Sequence, residues 1–380
     1  MTETKLQNNS FKNKTIIILS PQPWEGLLIS KHHYAKTLAI SNKVFFISAP
    51  GFGKKNKITV PEKGLTLFVL NYNLLLPRII KFHARSVYQF YVKKKLISLL
   101  KKLTTTIDLC IDFGCYQQYT NLDWIESEVK IFFPVDDSEF LMPVSRGADF
   151  VISVSKIICN KYNVAGKKCY FINHGLAPSF EKIGRQKIKN LFEWKKNKKI
   201  RVGYSGNLFI PFIDIDVFQM LITQNPDIEF HFFGKTTYDS SQENMIAWNE
   251  FLHKAPNVKL NGILSSEELS IAYCNIDAFI LCYKPDYKNY HCENSHKIFE
   301  YLSTGMVIIS TYLSLYEGTE LFEMAPKDKN EEILSIFTNA VNRLKKFNSL
   351  ELQQRRIQMT LNNTYEKQVE RINELIKSES

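Results

Sequence analysis

Lys297 and Glu300 stand three residues apart in the run Glu293-Asn-Ser-His-Lys-Ile-Phe-Glu-Tyr-Leu-Ser-Thr-Gly305. On a helix that spacing puts both side chains on one face, about 4.5 Å apart along the axis. Asn294 or Ser295 can cap such a helix and Gly305 can end it, while Ile298 and Leu302, one turn apart, supply a core face. A helix start with free N–H groups and a lysine beside it can seat a diphosphate. A carboxylate one turn further in can accept hydrogen bonds from two ribose hydroxyls. The same spacing also fits an ion pair on the surface of a helix.

Other residue types fit acid–base work. Asp136 and Asp137 follow the apolar run Lys130–Phe133. A carboxylate at the C-terminal end of a strand can take a proton from a hydroxyl, or it can cap the next helix. His174 lies in an Asn-His-Gly turn, where it can touch a leaving phosphate or an acceptor, or serve only the turn. His32 and His33 begin a helical pattern after Trp24-Glu25-Gly26, where they can meet a diphosphate or an acceptor phosphate, though they are expected to face solvent. Asp214-Ile-Asp216 opens another helix, a position that aspartates favour for capping and for the helix dipole. It is read that way, and no metal site is expected.

These residues need a scaffold, and the pattern supplies one. Short β-rich apolar runs alternate with helical periodicity. The strands read as Lys14–Ser20, Lys43–Ser48, Leu65–Leu70, Ile107–Phe113, Lys130–Pro134, Asp149–Ser153 and Cys169–Ile172. After a break at Ala177–Lys199 the alternation restarts with Lys199–Tyr204, Glu229–Phe233, Val258–Leu260, Ala278–Cys282 and Val307–Ser310. Alternation of this kind predicts an α/β fold of two Rossmann-like domains, each a mostly parallel sheet. The expected division is 1–178 for a first domain, 179–198 for a linker and 199–350 for a second domain. A closing helix over 351–380 is expected to reach back to the first domain.

The composition narrows the function classes. Of 380 residues, 44% are hydrophobic and 23% charged, as in a globular protein. The 49 basic residues against 38 acidic ones leave a charge of +11, which favours anionic partners. No reader motif for nucleic acid occurs, so nucleic acid is not expected among them. The seven cysteines form no Cys-x-x-Cys pair and are expected to be reduced and mostly buried. No signal-peptide core opens the chain, and a cytoplasmic location is expected. The segment Arg78–Leu103 reads as one long basic helix, with aromatic and aliphatic residues between its cations. It fits either an anionic membrane surface or a solvated face over a core stripe.

The run Ser295-x-Lys297-x-x-Glu300-Tyr301-Leu302-x-x-Gly305, followed by Met306–Thr311, resembles the donor-site motif of GT-B glycosyltransferases. The broad group around glycosyltransferase family 4, with bacterial polysaccharide and teichuronic-acid-type enzymes, is the nearest in pattern. Gly203–Asn207, Phe230–Gly234, Asn257–Gly262 and Asp149–Ser155 with Ile172–Gly175 agree with it in order and spacing. The resemblance implies the GT-B fold, with 1–178 as the acceptor-binding domain and 199–350 as the nucleotide-sugar-binding domain, and transfer of a sugar from a nucleotide-sugar donor to a glycan or lipid-linked acceptor. It needs no metal or other cofactor, and the expected setting is the inner face of the plasma membrane. It implies a donor set of Gly206, Asn207, Gly234, Tyr283, Glu293, Ser295, His296, Lys297 and Glu300. Lys297 would bind the diphosphate and Glu300 the ribose. Asp136, Asp137 and His174 would supply the catalytic group. The family pattern commonly carries an acid eight positions before the glutamate; Cys292 stands there in this chain, and Glu293 is one residue away. The same fold also carries nucleotide-sugar epimerases, and a basic binding protein without catalysis is the other alternative.

Overall fold

The computed structural model describes residues 11–52, 56–135, 142–195, 199–236, 243–284 and 294–379. The chain divides into two compact units. One runs to His174 and takes the chain back from Tyr365; the other is Gly175–Thr364.

In the first unit, β1 (Thr15–Leu19), α1 (Ser30–Ala39), β2 (Lys43–Ile47), β3 (Gly51–Phe52), β4 (Lys57–Thr59), β5 (Leu67–Asn71) and β6 (Asn73–Leu74) come first. They are followed by α2 (Ile80–His83), α3 (Arg85–Leu103), β7 (Leu109–Asp112), β8 (Val129–Phe132), β9 (Phe150–Ser153), α4 (Lys156–Val164) and β10 (Cys169–Phe171). Eight strands form one sheet in the order β10-β9-β8-β7-β1-β2-β5-β4, and only β4 runs antiparallel to its neighbour. The central strands are buried on both faces. Leu109, Ile111 and Phe113 enter the core under α1, and Cys110 enters the core under α3. Burial on two faces is why these strands read as continuous apolar runs.

The second unit holds α5 (Pro178–Lys189), β11 (Ile200–Ser205), α6 (Ile215–Gln224), β12 (Ile228–Phe233), α7 (Glu243–Lys254), β13 (Val258–Leu260) and α8 (Ser266–Tyr273). It continues with β14 (Ala278–Leu281), α9 (His296–Leu302), β15 (Val307–Ser310), β16 (Phe322–Met324), α10 (Ile333–Asn342), α11 (Leu344–Phe347) and α12 (Leu350–Leu361). Its six strands are all parallel, in the order β13-β12-β11-β14-β15-β16. Local capping fixes several helix starts. Asp214 Oδ1 accepts from Val217 N–H at 3.2 Å, and Ser265 with Glu268 closes a capping box on α8. The last helix, α13 (Tyr365–Glu379), returns to the first unit and packs on α1.

Four expectations need correction. Residues 179–198 do not form a plain linker: Pro178 opens α5, which packs on α8 and α12 inside the second unit. Proline suits that first helical position because no partner for its missing N–H is needed there. The single helix expected over Arg78–Leu103 is two, because Ala84 leaves helical backbone at φ −138°, ψ 59°. The terminal segment 351–380 also divides: α12 stays in the second unit and only α13 joins the first. His32 and His33 are buried, not solvent-facing. His32 lies against Trp24 and Phe46, and His33 stacks on Tyr365 of α13 with ring centroids 4.9 Å apart. Burial, with Lys36 and His32 nearby, pushes the His33 pKa down to about 4.

Candidate functional site

An open parallel sheet binds ligands beyond the C-terminal ends of its strands, where the strand order reverses. In the second unit that point lies between β11 and β14. Glycines make the backbone approach close there. Gly206, directly after β11, has φ +127°, and Gly234, directly after β12, has φ +145°. A Cβ on Gly234 would fall 2.2 Å from the Gly206 carbonyl oxygen, so only glycine fits. Gly206 N–H donates to Phe233 O at 2.8 Å, and Gly234 N–H donates to Gly262 O at 2.7 Å.

Helix α9 is fastened to this loop by its aromatic residue. The Tyr301 hydroxyl accepts from the backbone N–H of Ser205, the last residue of β11, at 2.7 Å. Its ring stacks on Phe279 of β14, centroids 4.1 Å apart and planes 9° off parallel. That anchor fixes Lys297 one turn earlier. The Lys297 Nζ donates to the Tyr204 hydroxyl at 3.3 Å and lies 4.5 Å from the centre of that ring. A Cβ on Gly206 would come 2.7 Å from the same nitrogen. The ammonium therefore sits at the glycine turn, although the residue is only 9% exposed.

Glu300 is the next group along. Its carboxylate oxygen lies 3.9 Å from His296 Nε2. Burial pushes its pKa up to about 7, and the Lys297 charge opposes the shift. One helical segment thus presents a cation at the glycine turn and, three residues on, a carboxyl whose pKa burial raises. A diphosphate fits the first and a ribose diol the second.

The remaining expected donor residues take varied places. Ser295 holds the N-cap position in extended backbone, without a capping hydrogen bond from its side chain. Asn207 Oδ1 accepts from Phe209 N–H at 3.0 Å and shapes the glycine turn. Tyr283 is buried, 5.8 Å from Phe212 between ring centres, and its N–H donates to Thr311 Oγ1 at 3.0 Å. It pairs with Ile213 in the loop after β11. Glu293, Asp136 and Asp137 lie outside the described residues.

In the first unit the strand order reverses between β1 and β7. His174 is buried near the start of α1, its Nδ1 3.4 Å from Ser30 Oγ, and its carbonyl accepts from Gln368 Nε2 at 2.9 Å. Asp112 is not among the residues expected at a site from the sequence. It ends β7, in register with Leu19 of β1 and Phe132 of β8, and is 1% exposed. Oδ1 accepts from Cys115 N–H at 2.9 Å, and Oδ2 has no hydrogen-bond partner among the described residues. Burial pushes this carboxyl up to about 6, opposed by hydrogen bonds from the turn and by Lys31. Its signal in the sequence was an acid inside an apolar strand run, directly before Phe113-Gly114.

No protein-family model matches the chain, and no curated protein sequence does. Solved structures do. Sucrose-phosphate synthase from Thermosynechococcus elongatus superposes with a TM-score of 0.67 at 11% identity, over 96% of this chain and 99% of that one. The fold is GT-B. The α,α-trehalose-phosphate synthase (UDP-forming) from Burkholderia xenovorans, in complex with glucose-6-phosphate, gives 0.65 at 9% identity over 96% and 100% of the two chains. HepE from Anabaena, in complex with UDP and glucose, gives 0.62 at 12% identity over 96% and 100%. Among the described residues, no helix is long and apolar enough to cross a membrane.

Proposed function

We propose that the protein is a metal-independent glycosyltransferase. It moves a sugar from a nucleotide donor to a glycan or lipid-linked acceptor in bacterial surface polysaccharide synthesis, at the inner face of the membrane. The observation that carries this reading is the position of Lys297: its ammonium lies at Gly206, at the switch point of a parallel sheet in a GT-B fold.

Lys297 holds the donor diphosphate, and Glu300 accepts hydrogen bonds from the ribose. As the bond from the anomeric carbon to the diphosphate oxygen breaks, its electron pair stays on the diphosphate, and Lys297 stabilises that charge. The acceptor hydroxyl oxygen bonds to the anomeric carbon. Its proton passes to a basic side chain of the first unit, for which the carboxylates of Asp136 and Asp137 are the first candidates and the imidazole of His174 the next. UDP is the first nucleotide to test, since it accompanies several of the similar structures.

The test is turnover. The purified protein is incubated with a panel of nucleotide sugars, with and without membrane extract, and release of nucleoside diphosphate is followed. Release that depends on the extract is expected. Conversion of the donor sugar without any release would show an epimerase instead, and binding without either would show a protein with no catalytic role.

A further inference from the structure

Residues 75–91 turn large apolar side chains to solvent. Leu75 is 79% exposed, Ile79 61%, Phe82 68% and Phe90 61%. Val87 and Tyr91 are about half exposed. Ile80 on α2 packs on the core with Leu76, and Tyr88, Val92 and Leu96 carry the inner face of α3. Helical spacing then leaves Val87, Phe90, Tyr91 and Lys94 on the outer face of α3. Helices α2 and α3 join directly at Ala84, so their exposed apolar groups belong to one continuous stretch of chain. Successive large apolar side chains left in water along one stretch point to an interaction site.

The charge around it has one sign. No acidic residue occurs between Glu62 and Asp108. Arg78, Lys81 and Arg85 alternate with the apolar residues, and Lys93, Lys94 and Lys95 follow on the next turns. A second copy of this chain is a poor match, because a symmetric contact would set these cations against themselves. An anionic bilayer matches both parts: apolar groups enter the acyl boundary and cations meet the headgroup phosphates.

We propose that α2 and the N-terminal half of α3 form a membrane-insertion element, with Phe82 and Phe90 entering the apolar layer of an anionic bilayer. This deepens the membrane part of the function proposed above. Its test involves no donor chemistry, and UDP affinity measured on the same samples judges the donor reading separately.

The experiment is sedimentation with vesicles of phosphatidylcholine alone or mixed with phosphatidylserine. Salt is set at about 0.1 M and about 0.5 M, where charges are screened over roughly 10 Å and 4 Å. The wild-type protein is expected to pellet with the mixed vesicles and to stay largely bound at the higher salt. The double variant Phe82→Ser/Phe90→Ser should lose at least about tenfold in partitioning, since burial of each ring is the salt-resistant contribution. Its remaining binding should be released by salt. Unchanged melting would show that both substitutions are confined to the surface. As an independent measurement, Phe82→Trp should gain fluorescence that lipids brominated on their acyl chains quench. The proposal fails if the wild-type protein does not pellet with mixed vesicles, if the double variant binds as well as wild type, or if the fluorescence gained by Phe82→Trp is not quenched. A concentration-dependent dimer that the double variant abolishes, without vesicle binding, would assign the face to self-association and overturn the proposal too.

Discussion

The ammonium of Lys297 rests on the ring of Tyr204, 4.5 Å from its centre, and donates to the hydroxyl of that residue at 3.3 Å. Tyr204 comes from the central strand and Lys297 from a helix 93 positions later. The pair therefore ties the cation to the glycine turn before any ligand arrives. Preorganisation of this kind lowers the ordering cost of binding.

Removal of the cation should weaken the donor complex. Lys297→Ala is expected to reduce UDP affinity by about 1.5–3 kcal/mol, the range for hydrogen bonds to a charged group. Tyr204→Leu, which keeps the lysine and frees its tether, should cost less. Titration calorimetry measures both. Equal affinities in wild type and Lys297→Ala would remove the lysine from the donor site.

Glu300 makes two pH-dependent contributions. Its folded pKa, near 7, lies above the unfolded value near 4.5, so the folded chain binds the extra proton between those limits. Stability tied to this group is full below about pH 4.5 and is lost as the pH rises through 7. Glu300→Gln should remove that decline and melt higher than wild type at pH 8, by an amount on the order of 1–3 kcal/mol. Ribose binding runs the other way, because the ionised carboxylate is the better acceptor. UDP affinity of the wild-type protein should rise between pH 6 and pH 8, and that of Glu300→Gln should be flatter. Melting and calorimetry across that range decide the matter.

Gly234→Ala tests the close approach of two loops. The new Cβ would overlap the Gly206 carbonyl, and φ +145° disfavours any side chain. A loss of at least about 2 kcal/mol in stability is expected. UDP affinity should fall as well, because Gly206 forms the turn that Lys297 meets. A variant as stable as wild type would mean that the loops separate at no cost.

The proton acceptor can be located by substitution. Asp136→Asn or Asp137→Asn should lower turnover by about 10²–10⁴-fold with UDP affinity retained. Asp112→Asn keeps the geometry that accepts the Cys115 N–H and removes the burial of a charge. It should raise stability at pH 8 relative to pH 5, since burial holds the folded pKa of this acid above its usual value. Full activity in both Asp136 and Asp137 variants would move the chemistry to Asp112 or His174, and the activity of Asp112→Asn would separate those two.

By itself the sequence determined the strand–helix alternation, the two mostly parallel sheets and the helix that carries Lys297 and Glu300. Those features rest on local periodicity: runs such as Val307–Ser310 are buried on both faces, and the spacing in His296–Leu302 puts two polar groups on one side. Other features came from contacts between residues far apart in the chain. The rings that bury His32 and His33 belong to Trp24, Phe46 and Tyr365, and no pattern around residue 32 encodes the last of these. In the sequence Asp112 is one acid within a strand run; the sheet order places it at the reversal between β1 and β7. The elevated carboxyl of Glu300 likewise depends on what covers it, because desolvation is a property of the packed environment and not of the residue type. Periodicity fixes which face of an element is apolar; only tertiary packing decides which polar groups are shut away from water and which apolar ones, such as Phe82 and Phe90, are left in it.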